Sequence, residues 1–413
     1  MGWHPLRAPR ADLPTPATRA SATDTGSRRD TLARALACGL EAPVAVRDHA
    51  RAGAGVEELL EDLRRTESLL AGVGPQLAPL LADPLVTDVL VNAPEVWVDR
   101  GRGLTRADVD LGDERAVRML AVHMAASCGR RLDDASPVVD GTLPGAVRLH
   151  AVLPPLSGGG TLISLRTSRP VALGVGELRE RGTLAPGLDV LLRELVLRRA
   201  NTLVSGATGS GKTTLLTTVL GLVPHDQRIV CIEEVAELRP DHPHVVHLQE
   251  RRANVQGAGA VTLADLVRAA MRMRPDRLVL GECRGAEVRD VLTALNTGHE
   301  GGWATIHANT VEDVPARLQA LGALAGMGDA AVAAQGAAAF DAVLQMRRDG
   351  ATRRVAQVGV LVRPEQGGSA LECRKVLEVS PGGEVRVGRD WPLLDARLGG
   401  VSALLPWGRG GPG

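Results

Sequence analysis

The sequence has few of the groups that proteins use to stack against nucleic-acid bases. It contains no tyrosine, one phenylalanine and five tryptophans, and its formal net charge is zero. A neutral chain has no strong long-range field for a phosphate backbone, and so few aromatic rings make poor stacking platforms. We therefore expect no direct binding of nucleic acid.

Cysteines and long apolar runs are also scarce. The five cysteines are scattered without a C-x-x-C pair, which argues against a zinc site and a disulfide framework. No apolar run reaches the length of a membrane span, and no apolar segment follows the N-terminal arginines as in a signal peptide. We predict a cytoplasmic protein without a transmembrane segment, and peripheral docking to a membrane stays open.

Lysine is rarer than any other charged residue in the chain. Only Lys212 and Lys375 occur, against 46 arginines. Arginine can replace lysine at most surface sites, but not where a compact ammonium group must fit between phosphates. Each of the two lysines is therefore a candidate for a specific role.

Composition and periodicity divide the 413 residues into six segments. They are a disordered tail (1–30), a helical segment (31–75), a small α/β domain (76–172), a linker (173–184), a larger α/β domain (185–380) and a frayed C-terminal tail (381–413). The small domain is predicted to contain strands at 87–91, 96–98, 147–153 and 162–165 and a helix at 113–131.

The larger domain alternates strands with helices. We predict strands at 202–205, 228–232, 244–248, 277–281 and 303–306, and helices at 188–199, 211–223, 263–274, 285–296 and 311–326. The residues after 350 are rich in β-forming residues. This alternation predicts a mostly parallel sheet between helices.

One segment matches the pattern G-x-x-x-x-G-K-[ST] of a phosphate-binding loop. It reads Gly206-Ala207-Thr208-Gly209-Ser210-Gly211-Lys212-Thr213, followed by Thr214. Because a predicted strand precedes it and a predicted helix follows, its backbone N–H groups can converge on phosphates at a helix N-terminus. We predict that 206–214 bind ATP, that Lys212 reaches the β- and γ-phosphates, and that Thr213 binds Mg²⁺.

The choice of ATP over GTP follows from a missing motif. A GTPase reads its base with Asn-Lys-x-Asp, and neither lysine of this chain follows an asparagine. Three other histidines, His242, His244 and His247, have only loose metal-ligand spacing, and we expect them on a polar strand face.

Acidic residues follow two of the predicted strands. Glu282 comes directly after an apolar strand, where a carboxylate can orient the attacking water or hold the water shell of a metal ion. Glu233 and Glu234 end another strand, with Glu237 close behind, and are candidate metal or water ligands. The alternatives are an exposed strand end for Glu282 and a solvated turn for the pair.

Two histidines flank the strand at 303–306. His299 lies in a glycine-rich loop before it and His307 directly after it. Such a pair can sense the γ-phosphate or couple it to a neighbouring domain. Taken alone, two histidines are weak evidence, and a structural role remains the simpler interpretation.

Taken in order, the phosphate-binding loop, the acidic segment 232–238, the segment 273–287 and the histidine segment 297–309 resemble the traffic ATPases of type II and type IV secretion systems. The CpaF/TadA branch, which drives tight-adherence pilus assembly, is the most similar. The resemblance extends upstream to 83–92, 129–133 and 148–155, and it covers about 80–345.

The resemblance implies a RecA-like P-loop domain preceded by a smaller α/β domain that packs over the nucleotide. It also implies a homo-hexameric ring and a platform protein in the inner membrane as partner. The residues that the resemblance implicates are Glu282 as the Walker B glutamate, Glu233 and Glu234 as the acidic box, His299 and His307 as the His box, Arg148 and Arg166 near the phosphates, and, more loosely, Arg272, Arg274 and Arg284. The acidic box of the family usually reads Glu-Asp, so the side chain of Glu234, an expected metal ligand, is one methylene longer here.

We therefore expect an ATP- and Mg²⁺-dependent motor of a pilus or secretion apparatus, located at the inner face of the cytoplasmic membrane. Two alternatives from other classes stay open. One is a RecA-like DNA motor for conjugal transfer, and the other is a nucleotide-binding scaffold without turnover.

Overall fold

The computed structural model describes residues 46–47, 72–101, 103–167, 172–251, 253, 258–350, 352–364 and 370–407. The chain separates into two compact units, 1–78 and 79–413. The predicted disordered tail and nearly all of the predicted helical segment up to residue 75 lie outside the described residues. The second unit contains a small and a large domain, each with one sheet.

The small domain is a six-stranded antiparallel sheet with one long helix on it. Asp113 caps this helix by accepting a hydrogen bond from the N–H of Ala116. The strand order is β3-β2-β1-β6-β5-β4. In chain order the elements are α1 (Ala78–Ala82), β1 (Asp88–Asn92), β2 (Glu95–Asp99), β3 (Leu104–Ala107), α2 (Glu114–Ser127), β4 (Val138–Leu143), β5 (Val147–Val152) and β6 (Leu162–Arg166).

Alternating burial explains most of this sheet. In β1 and β2 every second residue is buried, as expected for strands with one covered face. The strands predicted near β1, β2, β5 and β6 and the helix near α2 are present, whereas β3 and β4 were not predicted. β3 is mostly exposed and β4 contains a glycine, so neither has a clear apolar pattern.

The large domain has nine strands. Their order is β15-β14-β13-β12-β7-β11-β10-β8-β9. In this spatial order, the six neighbours β12-β7-β11-β10-β8-β9 pair in parallel, and the strands β12-β13-β14-β15 pair antiparallel. The strands are β7 (Thr202–Gly206), β8 (Ile229–Glu233), β9 (Val245–Gln249), β10 (Arg277–Leu280), β11 (Trp303–Ile306), β12 (Ala342–Asp349), β13 (Thr352–Val362), β14 (Glu372–Val379) and β15 (Val385–Val387).

Helices cover both faces of this sheet. They are α3 (Val175–Glu180), α4 (Leu188–Leu197), α5 (Lys212–Leu220), α6 (Leu263–Ala270), α7 (Val288–Asn296), α8 (Val314–Leu324), α9 (Asp329–Ala339) and α10 (Trp391–Arg397), with 3₁₀ turns at Met271–Met273 and Ser402–Leu404. Neighbouring strand residues enter opposite cores: Val204 belongs to the cluster that contains residues of α4, α5 and α10, and Leu203 to the cluster that contains residues of α6 to α9. The predicted fold class, an α/β chain with a RecA-like P-loop domain after a smaller α/β domain, is confirmed.

The predicted helices and strands of the large domain are all present, with ends that differ by a few residues. Most predicted helices were too long, because apolar spacing continues into the turns that follow them. The predicted linker contains helix α3, whose Leu178 is buried in the core. Helix α9 and strand β12 were not predicted. None of the helices within the described ranges is both long and apolar enough to cross a bilayer.

The C-terminal segment corrects one expectation. Fraying was predicted from residue 381, but β15 and α10 are ordered elements of the large domain. Trp391 donates a hydrogen bond from its indole nitrogen to Ser402 at 2.8 Å. The apolar side chains of this segment belong to the large core: Trp391, Leu394, Leu398, Val401 and Leu405. The prediction failed because glycine and proline are frequent here, while the apolar residues that pack are widely spaced.

The packing of this segment can be tested by truncating one leucine. Leu394 is fully buried, so Leu394→Ala removes core contacts and leaves a cavity, at a cost of about 2–5 kcal/mol. We expect a clearly lower thermal unfolding midpoint. The matched control is Leu404→Ala in the same segment, because Leu404 is 52% exposed and its truncation should cost at most about 0.5 kcal/mol. Equal midpoints for both variants would show that the segment does not pack.

Candidate active site

The carboxyl ends of four parallel strands meet at one edge of the large sheet. The strands are adjacent in the order β7-β11-β10-β8, and all four point the same way. Each is followed by one of the predicted functional segments. Parallel strands of an open α/β sheet place their ligand site at this edge, so segments that are far apart in sequence become neighbours.

The phosphate-binding loop connects β7 to α5. Three of its glycines, Gly206, Gly209 and Gly211, have φ values of +148°, +72° and +97°, a region that other residues rarely adopt. At Gly206 a Cβ atom would also lie 2.5 Å from the carbonyl oxygen of Met346. The loop therefore requires glycine at these points, and its N–H groups lie at the start of α5, as an anion site needs.

Lys212 is the first residue of α5 and is only 8% exposed. Its Nζ donates hydrogen bonds to the carbonyl oxygens of Gly206 at 2.8 Å and Ala207 at 3.1 Å. Burial lowers the pKa of Lys212, and Arg284 lowers it further, while the charge of Glu282 opposes the shift. The ammonium group thus lies inside the loop, held by weak carbonyl partners that phosphate oxygens can replace.

The other loop side chains suit a phosphate and its metal ion. Ala207, Thr208 and Gly209 are exposed, and so are Thr213 and Thr214 at the start of α5. Within the part of the chain that the structure describes, the buried hydroxyl of Ser210 has no hydrogen-bond partner. An unpaired buried hydroxyl and two exposed ones at a helix N-terminus fit a bound, Mg²⁺-coordinated nucleotide.

Sequence reasoning missed an arginine that contacts the loop. Arg353, on β13, donates a hydrogen bond from Nε to the carbonyl oxygen of Gly209 at 3.0 Å. The hairpin between β12 and β13 brings it there, and a sequence signal existed in the Asp349-Gly350 pair, which favours a tight turn. The contact itself depends on which strand lies beside β7, and local sequence does not encode that.

Glu282 lies in a cluster of charged groups beyond β10. Its Oε2 accepts a hydrogen bond from Arg284 at 2.7 Å, and Arg284 also reaches Oε2 of Glu234 at 3.1 Å. The Nε2 atom of His307, directly after β11, lies 2.6 Å from Oε1 of Glu282. Oε1 is buried and, apart from this contact with His307, has no hydrogen-bond partner among the described groups.

The charges of this cluster keep Glu282 ionised. Burial raises the pKa of its carboxyl, but the pKa lies below its usual value, mainly because of the hydrogen bond and charge of Arg284 and further because of the charge of Lys212. The hydrogen bond to Glu282 raises the pKa of Arg284. Burial, followed by the charge of Lys212, lowers the pKa of His307. At neutral pH the cluster therefore contains an ionised carboxylate beside a neutral imidazole.

Glu233 and Glu234 have different surroundings although they are adjacent. Glu233 is 4% exposed, and its Oε1 accepts hydrogen bonds from the N–H groups of Glu237 and Leu238, each at 3.0 Å. It therefore shapes the turn after β8. A Cβ on Gly281 would lie 2.7 Å from Cγ of Glu233, which explains the glycine before Glu282. Glu234 is the residue of the pair that contacts the cluster, through Arg284.

The two arginines of the small domain lie beside each other. Arg148 on β5 and Arg166 on β6 are directly paired in the sheet register. NH1 of Arg148 lies 3.1 Å from Oε1 of Glu237, so this arginine contacts the acidic segment of the large domain. Arg166 is exposed next to it. The contact links the two domains beside the candidate site.

Three predicted residues lie at the opposite edge of the sheet. The Nδ1 atom of His299 is 3.2 Å from the carbonyl oxygen of Ala294, at the end of α7. The strand β11 separates it from His307, and four strand residues span about 13 Å. Arg272 and Arg274 precede β10, whereas Glu282 follows it. Within one chain, the structure does not bring these three residues to the Glu282 cluster.

Among the described residues, no cluster of side chains that could bind a metal ion by themselves lies beside the loop. They contain no group of three or more His, Cys, Asp or Glu side chains that could hold a metal ion. His242, His244 and His247 diverge, contacting Pro224, Arg228 and Glu233 respectively. Magnesium in nucleotide sites usually takes one or two protein ligands together with phosphate oxygens and water, so the exposed Thr213 hydroxyl fits that role.

The fold and the loop define a P-loop NTPase, and comparison with known proteins gives its family. The family model "Type II/IV secretion system protein" matches residues 74–351, about two thirds of the chain. The chain belongs to this family and is an ATPase.

Curated proteins and a solved structure are similar to this chain. A Mycobacterium tuberculosis (strain H37Rv) protein named for conjugal transfer is 53% identical over 319 residues, which are 75% of this chain and 90% of the relative. The type IV secretion system protein PtlH of Bordetella pertussis is 35% identical over 267 residues, 59% of this chain and 78% of PtlH. Among solved structures, the VirB11 ATPase of Brucella suis is 28% identical with a TM-score of 0.35, over 70% of this chain and 97% of that one.

The charge balance around Glu282 leads to a prediction about pH. Arg284→Gln removes the group that most strongly opposes the effect of burial on Glu282, so the pKa of the Glu282 carboxyl rises. If the ionised carboxylate is needed, the acid limb of the ATPase pH profile should move to higher pH. The control is Arg389→Gln, which removes an arginine that is almost fully exposed and remote in sequence. Profiles with the same acid limb in both variants would contradict this account of Glu282.

Proposed function

We propose that this chain is an ATP-hydrolysing motor that powers pilus assembly or protein secretion, in an apparatus of the tight-adherence type. One observation carries the proposal. An ionised Glu282, in contact with Arg284 and His307, lies at the same sheet edge as Lys212 and its glycine-rich loop. A binding scaffold without turnover has no need of such a carboxylate.

Each side chain has a distinct task in hydrolysis. Lys212 leaves the carbonyl oxygens of Gly206 and Ala207 and donates to the β- and γ-phosphates. Glu282 accepts a hydrogen bond from the attacking water and orients it toward the γ-phosphate. His307, neutral and beside Glu282, fixes the position of that carboxylate. A bound Mg²⁺ ion would neutralise charge that develops on the phosphates, and Thr213 is its candidate protein ligand.

Arg284 connects the acidic segment to Glu282. Its guanidinium group lies between Glu234 and Glu282, so it screens two carboxylates that would otherwise repel each other. When phosphate charge develops nearby, the same group can stabilise it. Glu234, which contacts Arg284, remains a candidate ligand for water or a metal ion, whereas Glu233 shapes the turn after β8.

Coupling to motion starts at the contact between the domains. Arg148 reaches Glu237, which lies in the turn that Glu233 holds. A change at the phosphates can therefore be transmitted to the small domain through this turn. We propose that the chain acts as a homo-hexamer, at the inner face of the cytoplasmic membrane, on a platform protein of the apparatus. His299, Arg272, Arg274 and Arg166 are then candidates for contacts between subunits.

A second candidate function is a motor for conjugal DNA transfer. The name of the mycobacterial relative favours it, because that protein is 53% identical to this chain. The neutral charge and the few aromatic residues favour protein cargo instead. Stimulation of the ATPase by DNA at physiological salt would favour the conjugal function, and an unchanged rate would favour pilus assembly or secretion.

The lysine pair offers a matched test of the ATPase. Lys212→Ala removes the ammonium group from the loop, and hydrolysis should fall by at least about 100-fold while the thermal midpoint stays close to that of the native chain. Lys375→Ala removes the other lysine, a partly exposed partner of Glu378 on β14, and should leave hydrolysis unchanged. Normal hydrolysis in Lys212→Ala would exclude the proposed function.

The oligomeric state provides an independent test. Within one chain, His299, Arg272 and Arg274 lie away from Glu282. Their proposed role therefore requires a neighbouring subunit whose site they contact. We expect a hexamer by light scattering after size exclusion with Mg²⁺ and a non-hydrolysable ATP analogue. A monomer under those conditions, from a chain that binds the analogue, would contradict the ring.

A further inference from the structure

Gln345 is a buried polar residue in the centre of the large sheet. It lies on β12, is 2% exposed, and is directly paired with Ser205 of β7. Ser205 is itself fully buried and is the residue before the phosphate-binding loop. A buried amide stabilises a fold only when its hydrogen bonds are made, so the partners of this amide show what it does.

The amide makes three hydrogen bonds. Its Oε1 accepts one from the hydroxyl of Ser205. Its Nε2 donates to the carbonyl oxygens of Ala308 at 3.1 Å and Asn309 at 2.8 Å. These bonds settle the orientation of the amide, because the reverse orientation would place Oε1 against two carbonyl oxygens. Both amide hydrogens are therefore used on one short segment of backbone.

The sheet order shows why these bonds matter. Strand β7 lies between β12 and β11, and Ser205 is paired with Gln345 on one side and with Ile306 on the other. The carbonyl oxygens that Gln345 binds belong to the segment that leaves β11. The side chain of Gln345 thus reaches past the strand of the phosphate-binding loop and binds the segment that carries His307.

His307 is anchored on both sides as a result. Before it, Thr305 donates from its hydroxyl to the carbonyl oxygen of Gly281 at 2.6 Å and accepts at its own carbonyl from the N–H of Cys283 at 2.8 Å. These two residues flank Glu282. After it, Gln345 holds the carbonyl oxygens of the next two residues. The second anchor adds a side-chain connection, through Ser205, to the strand of the phosphate-binding loop, with which Ile306 is already paired in the sheet.

We infer that Gln345 is a positioning residue for ATP hydrolysis: it binds the segment after His307 and so holds the imidazole against Glu282 in register with the phosphate-binding loop. The inference rests on the proposed function, because it requires His307 and Glu282 to act together. No other side chain of this size offers one acceptor and two donors at these positions. Leucine offers neither, and glutamate keeps the shape but offers no donor.

The test compares kcat and KM for ATP in Gln345→Leu, Gln345→Glu and Gln357→Leu. Gln357 is a matched control, because it lies on the neighbouring β13 and binds the same connection at the N–H of Val311, beyond the His307 segment. We expect kcat to fall by about 10- to 100-fold in both Gln345 variants. KM should stay within about twofold, because the loop still binds phosphate. Gln357→Leu should keep the native kcat.

A double-mutant cycle separates positioning from general stability. In a His307→Ala background, Gln345→Leu should change kcat by less than about twofold, because the residue it positions is gone. If Gln345→Leu does not fold, Gln345→Glu and Gln345→Met, which keep the side-chain length, replace it in the cycle, with folding checked by thermal melting.

Several outcomes would overturn the inference. They are native kcat in Gln345→Leu or Gln345→Glu, an undiminished effect of Gln345→Leu in the His307→Ala background, and native kcat in His307→Ala alone. If Gln345→Leu or Gln345→Glu keeps the native kcat, or if the effect of Gln345→Leu is undiminished in the His307→Ala background, the inference fails. The proposed function still stands in both cases, provided that His307→Ala and Lys212→Ala are inactive. Normal hydrolysis in Lys212→Ala would instead contradict the proposed function itself.

Discussion

The parallel register of four neighbouring strands determines where the chemistry of this protein lies. Strands β7, β11, β10 and β8 run in the same direction, so the segments after them meet at one sheet edge. These segments supply Lys212, His307, Glu282 and Glu234, which come from positions up to about a hundred residues apart. The hydrogen bonds of Thr305 and Gln345 then fix the segments to one another.

The electrostatics of the site follow from this arrangement. Glu282 is partly buried, and burial alone would favour its protonated form. Arg284 and Lys212 supply positive charge from two different segments and keep it ionised. Without these neighbours, the partly buried carboxylate would take up a proton at higher pH. The neighbours therefore convert an ordinary strand terminus into a group that can orient water.

Much of the site could be predicted because its signals are local. The glycines and lysine of 206–213, and an acid directly after a buried strand, each have a physical meaning within a few residues of sequence. The contacts of Gln345 and Arg353 could not be predicted, because they depend on β12 and β13 lying beside β7. His299 and His307 were grouped by their proximity in sequence, but a four-residue strand places them at opposite edges.

The fold, like the site, has parts that local sequence predicts and parts that depend on which strands become neighbours. Alternating apolar residues predicted β1 and β2, and short apolar runs between helices predicted the buried strands of the large sheet. Strands β3 and β4 lack that alternation, and the C-terminal segment packs with widely spaced apolar residues such as Leu394 and Leu398. The other domain boundaries, and the segments assigned before residue 72, stay predictions from the sequence. What local patterns cannot encode is which strand pairs with which.

The most direct test of the central claim is the hydrolysis rate of Glu282→Gln measured together with its affinity for ATP. The change keeps the shape and removes the charge that orients water. The account predicts ATP binding close to that of the native chain and hydrolysis slower by about 10²- to 10⁴-fold. Hydrolysis within about tenfold of the native rate, with ATP still bound, would contradict the assignment of Glu282 as the residue that activates water.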